Sequence, residues 1–93
     1  MTPKQKKAYR AAARAINDLA KATLDDWEAY NSAIELVARS AGVMVGSATT
    51  AHDLSQDDLV EAANRVGRHC QTHAAETYAE CIAKISARGE RLQ

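Results

Sequence analysis

Residues 54–89 read LSQDDLVEAANRVGRHCQTHAAETYAECIAKISARG. Ser55 has the chemistry of a helix N-cap, with Asp58 three positions on, and Asp57 and Asp58 suit the positive end of a helix dipole. Leu54 and Leu59 stand at the two positions of a hydrophobic staple. No strong stop follows until Gly89, and Lys84 and Arg88 lie where cations favour a helix C-terminus. Glu61/Arg65 and Glu80/Lys84 are spaced as supporting i,i+4 pairs. The spacing predicts a helix over 56–88, about 50 Å long, which is long for one small chain. Gly67 is the place for a bend or a close crossing. Cys70 and Cys81 share a face with Leu59, Ala63, Val66, Ala74 and Ile85. About 16 Å of helix separates the two thiols, beyond disulfide reach, so both are expected to be reduced and buried in a core.

Towards the N-terminus the helical period continues. Thr2 caps and Pro3 opens a first helix predicted over 3–22, with Tyr9, Ala13, Ile16 and Ala20 on its apolar face. A second helix is expected to restart at Asp25, with Glu28 completing a capping box, and to cover 25–41 with a possible extension to 51. Its apolar positions are Trp27, Tyr30, Ile34, Val37 and Ala41. The apolar spacing runs straight from the first helix into the second, so continuity between them is left open. Trp27, the sole tryptophan, is expected to anchor the core.

The fold class that follows is all-α, in one helical domain over 1–93. The architecture is a three-helix bundle, or a long helical hairpin with an extra N-terminal helix, and dimeric. The 93 residues exclude a two-domain enzyme. Twenty alanines stand against fifteen Leu, Ile and Val, with no Phe. A core built from so many small side chains needs close-packed helices or a second copy to complete its burial. No apolar run suits a membrane span and no signal peptide is visible. With two cysteines in such a chain, a reducing, cytoplasmic setting is expected.

Formal charge is zero overall but segregated: +5 over residues 1–24, −7 over 25–61 and +2 over 62–93. Lys7, Arg10, Arg14 and Lys21 fall on one face of the first helix, opposite its apolar positions. They are the candidate partner-binding residues, able to steer an anionic surface. The bland alternative pairs them with the acidic second helix.

Three further constellations carry side chains capable of chemistry. VARSAGVMVGSATTA, residues 37–51, resembles the helix-turn-helix of lactose-repressor-type DNA-binding proteins. Gly42 would sit in the turn, and Val43, Ala48 and Ala51 would pack the second helix. The resemblance implies DNA contacts from Ser47, Thr49 and Thr50. The segment departs from that pattern in its would-be recognition helix, Val45 to Asp53, which contains no Arg or Lys and carries Gly46. The plainer reading is a helix end with close packing at Gly42 and Gly46. His69, His73, Glu76 and Glu80 form a stripe that could hold a divalent metal, against an ordinary solvated face. His52 and Asp53, with Ser47, Thr49 and Thr50, contain the residue types of a hydrolytic triad without a nucleophile-elbow pattern.

The expected function is therefore non-enzymatic, with no cofactor and no metal. A small helical interaction protein binds a larger protein or complex as an inhibitor, adaptor or regulator, of the kind mobile elements carry. The alternative is a nucleic-acid-binding regulator that uses the 37–51 motif or the basic stripe of the first helix.

Overall fold

The computed structural model describes residues 1–92, with side-chain surroundings for residues 1–89. Three helices account for the described chain: α1 (Pro3–Thr23), α2 (Trp27–Ala51) and α3 (Gln56–Leu92). No strand occurs among the described residues. The protein is all-helical. Its chain divides into two compact units, Met1–Met44 and the residues from Val45 onward, with the boundary inside α2.

In the first unit, α1 begins with a capping box. The Thr2 hydroxyl accepts from the Gln5 backbone N–H at 3.1 Å, and the Gln5 side chain accepts from the Thr2 N–H at 2.8 Å. Two of the orphan donors of a helix start are thereby satisfied, and Pro3 presets the first turn. At the other end the Thr23 hydroxyl donates to the Leu19 carbonyl at 2.8 Å. Asp26 N–H then donates to the Thr23 carbonyl at 3.1 Å, turning the chain. The break left open by the sequence thus falls at residues 24–26. The cap of α2 is Asp26, one residue later than the expected Asp25: its carboxylate accepts from Ala29 N–H at 3.2 Å. With Ala29 at the third position there is no reciprocal partner, and Glu28 does not close a capping box.

α2 then runs unbroken through Gly42 to Ala51. The turn that a helix-turn-helix needs at Gly42 is absent, and the 37–51 motif is one stretch of α-helix. Interior glycine costs a helix only about 1 kcal/mol, too little by itself to stop one. Nor does Gly42 or Gly46 serve close packing, since an added Cβ at either meets nothing within 4 Å. The same holds at Gly67, where α3 continues without interruption.

In the second unit, α2 ends in a Schellman arrangement. Leu54 N–H donates to the Thr49 carbonyl at 2.9 Å and Asp53 N–H to the Thr50 carbonyl at 3.4 Å. Asp53 holds the left-handed backbone between them, at φ 52°, a conformation that Asp tolerates better than branched residues. One residue on, Ser55 and Asp58 form the reciprocal cap that starts α3. The Asp58 carboxylate accepts from Ser55 N–H at 3.0 Å and the Ser55 hydroxyl accepts from Asp58 N–H at 3.1 Å.

Packing within the units is shallow. Half-buried positions in the first unit are Leu19, Ala20 and Thr23 of α1 with Ala29, Tyr30, Ala33 and Ala41 of α2. In the second they are Val45, Ala48 and Thr49 with Leu59 and Ala62, and Gly89 far along α3. Among the described residues no side chain is fully buried. Two expectations are corrected by this. Trp27 is 72% exposed rather than a core anchor, because it opens the first turn of α2, beside the cap. Cys70 and Cys81 are exposed free thiols rather than core residues, because α3 has no neighbour in its own unit at their level.

Candidate interaction surfaces

Each side chain of the basic stripe is exposed on α1. From Lys7 to Lys21 the stripe rises about 21 Å along the helix. It lies opposite Leu19, Ala20 and Thr23, the residues that half-bury against α2. That separation follows from the 3.6-residue period and makes α1 the most strongly amphipathic of the three helices. Among the described residues none of Lys7, Arg10, Arg14 and Lys21 takes part in an ion pair; the ion pairs present all lie on α3. Asp18 shares the stripe, so its charge is locally reduced between Arg14 and Lys21.

The first unit also carries an apolar groove of about 370 Å³. Ile16 and Leu19 of α1 form one wall, and Leu36, Val37, Ala41 and Met44 of α2 the other. Ser40, the one polar side chain there, donates its hydroxyl to the Leu36 carbonyl at 2.8 Å. The groove therefore offers a ligand little directional hydrogen bonding and suits an apolar occupant.

The third surface is α3. Every residue from Ala63 to Arg88 is exposed, including Val66 at 41%, Tyr78 at 69% and Ile85 at 58%. Its polar side carries Glu61, which pairs with Arg65 at 3.8 Å and Arg68 at 3.5 Å, and His73, whose Nδ1 lies 3.5 Å from Glu76. These are open to water and contribute about 0–1 kcal/mol each.

The other sequence-derived candidates are not assembled into sites. His69, His73, Glu76 and Glu80 lie along exposed turns of α3, and only the His73–Glu76 pair closes. No three His, Cys, Asp or Glu side chains among the described residues come together as metal ligands. Ser47, Thr49 and Thr50 lie on the last two turns of α2, and the Thr49 hydroxyl is spent on the Val45 carbonyl at 3.0 Å. Asp53 is the left-handed residue of the α2–α3 turn rather than a partner oriented on His52. What the sequence reading missed is the groove between Ile16 and Met44. Ile16, Val37 and Ala41 were legible as members of apolar faces, but periodicity reports which residues share a face, not how deeply that face is covered.

No helix among the described residues is long and apolar enough to cross a membrane. Comparison with protein-family models, curated proteins and solved structures finds no match.

Proposed function

We propose that the chain is a non-enzymatic interaction protein that works as a homodimer. It docks on a larger protein through the basic face of α1 and acts there as an inhibitor, adaptor or regulator. The observation that carries this reading is the burial pattern. Among the described residues no side chain is buried, while large apolar side chains stand exposed on all three helices. Hydrophobic burial is the main favourable term in folding, and a chain that leaves this much apolar surface in water gains most from association. The apolar faces serve self-assembly, and the four exposed cations remain for the partner.

The choice of a protein partner rests on charge. Four basic residues, two of them flanking Asp18, and a chain of zero net charge give weak purchase on a polyanion. They are enough to steer docking on an acidic protein surface. The helix-turn-helix alternative has lost its turn, and with it the geometry that would set Ser47, Thr49 and Thr50 on base edges.

The test is the triple variant Lys7→Glu, Arg10→Glu, Arg14→Glu. Its melting temperature should match the parent's, because these side chains are exposed and, among the described residues, outside any ion pair. In a paired capture with mass spectrometry, a protein held by the parent at low salt should be lost with the variant. Equal capture by both would remove the stripe from the binding face. Binding of the parent to generic duplex DNA, with a salt slope approaching four released counterions, would replace the protein partner by nucleic acid.

A further inference from the structure

We infer that α3 pairs with α3 of a second copy, antiparallel, about a two-fold axis level with Thr72. The inference rests on the homodimer reading above and adds its surface, orientation and register.

The first argument is the period of the apolar stripe. Leu59, Cys70 and Cys81 recur at intervals of eleven residues, as do Ala63, Ala74 and Ile85. Eleven residues are close to three turns of a 3.6-residue helix, so the stripe drifts by only about 20° per repeat. It therefore stays in line along α3, which is continuous from Gln56 to Leu92. Two nearly straight helices could remain in contact from Leu59 to Ile85, about 40 Å.

The second argument is that the stripe reads alike in both directions. Turned end for end about residue 72, Leu59 meets the partner's Ile85. Ala63 then meets the partner's Cys81, and Cys70 meets the partner's Ala74. Large residues meet large at the ends and small meets small at the centre, where the helices would approach most closely. A face meant for an unrelated partner has no reason to carry this reversal symmetry, and an isologous interface requires it.

The third argument is charge, and it fixes the orientation. The two flanks of the stripe differ. One carries Asp58, Arg65, His69, Glu76, Glu80 and Lys84; the other carries Val60, Gly67, Gln71, Tyr78 and Ile82. A two-fold axis perpendicular to the helices brings each flank against the same flank of the other copy. Antiparallel pairing thus sets Arg65 beside the partner's Glu80, His69 beside the partner's Glu76, and Asp58 near the partner's Lys84. Each pair is opposite or complementary and occurs twice. It also joins the two apolar flanks, covering Val60, Tyr78 and Ile82, which are 51%, 69% and 42% exposed in one chain. Parallel pairing would instead lay the charged flank against the apolar one. Glu80 and Lys84 take part in no ion pair within their own chain among the described residues, whereas Arg65 would turn from Glu61, and Glu76 from His73, to reach the partner, exchanging one exposed contact for another.

The test uses cross-linking of the full chain. In a Cys70→Ser background, Ala63→Cys joined to the native Cys81 places one thiol opposite the other only in the antiparallel register. Within one helix the two positions are about 27 Å apart, so no intramolecular bond competes. Mild oxidation should give at least about ten-fold more covalent dimer than either thiol alone, with the other position Ser or Ala. A bond formed by the position-63 thiol alone would mean parallel pairing. A dimeric mass with no cross-link would mean another surface. Either result overturns this inference and leaves the homodimer standing, whereas a monomeric mass overturns both. Charge reversal gives a second check independent of cysteine. Arg65→Glu and Glu80→Arg should each weaken the dimer about five-fold, and the two together should restore it. No restoration would count against the register.

Discussion

Residues 1–44 set 21 residues of α1 against the first 18 of α2; beyond them, seven residues of α2 meet the 37 of α3. In the first unit the helices are matched in length. They half-bury a run of residues near their turn and enclose a groove higher up. In the second, seven residues of α2 reach only about 10 Å along a helix of about 55 Å. Everything on α3 past Ala62, as far as Arg88, stays exposed. Both units have well-formed caps and turns, so local structure does not distinguish them. What differs is the supply of partner surface. A helix can be correctly started and stopped and still be unfinished, because its stability comes mainly from packing an apolar face.

The sharpest way to break this comparison is to spoil the face of α3. Val66→Asp with Ile85→Asp should weaken self-association at least about 100-fold, since two charges would enter an apolar contact in each copy. Sedimentation at several concentrations reads the effect. If the double variant associates like the parent, the second unit is not completed through this face.

A smaller effect is expected at the α2–α3 turn. Asp53→Val places a β-branched residue at φ 52° and should cost about 1–2 kcal/mol, whereas Asp53→Gly should gain up to about 1 kcal/mol. Denaturant midpoints of the two variants should move in opposite directions. A shift of the same sign in both would mean that the turn is not held in the left-handed conformation.

Smaller again, Gly42→Ala should stabilise the chain by about 0.5–1 kcal/mol, because it improves a helix interior with open space around it. A loss instead would reveal a close approach at Gly42 in the assembled protein. Least of all, Trp27→Ala should change stability by about 0.5 kcal/mol or less, as befits an exposed position. Native fluorescence should have the red-shifted maximum of a hydrated indole. A cost of 3–5 kcal/mol, the value for a buried tryptophan, would mean that something covers the start of α2.

The sequence was most legible where a local rule decides the structure. Thr2 with Pro3, and Ser55 with Asp58, marked two helix starts, and helical periodicity identified all three helices. Asp25 and Asp26 compete as caps by the same chemistry, and the choice between them came from where the Thr23 carbonyl turned the chain. Gly42 and Gly46 misled because glycine marks both turns and unremarkable helix interiors. Trp27, Cys70 and Cys81 misled for a different reason. Their period assigns them to an apolar face, but burial needs an opposing surface, and nothing local to those residues supplies one. The basic stripe was legible as a face of α1. That its cations stand outside the ion pairs among the described residues depended on side-chain positions no spacing encodes.

The most direct measurement is the mass of the purified chain in solution, by light scattering across the micromolar range at moderate salt. Completion of α3 by a second copy requires a mass of about 20 kDa, twice the 10.0 kDa of one chain, that falls on dilution and falls further with Val66→Asp and Ile85→Asp. A constant mass of 10.0 kDa with an undiminished cooperative melt would contradict it, and would mean that the chain covers α3 by itself.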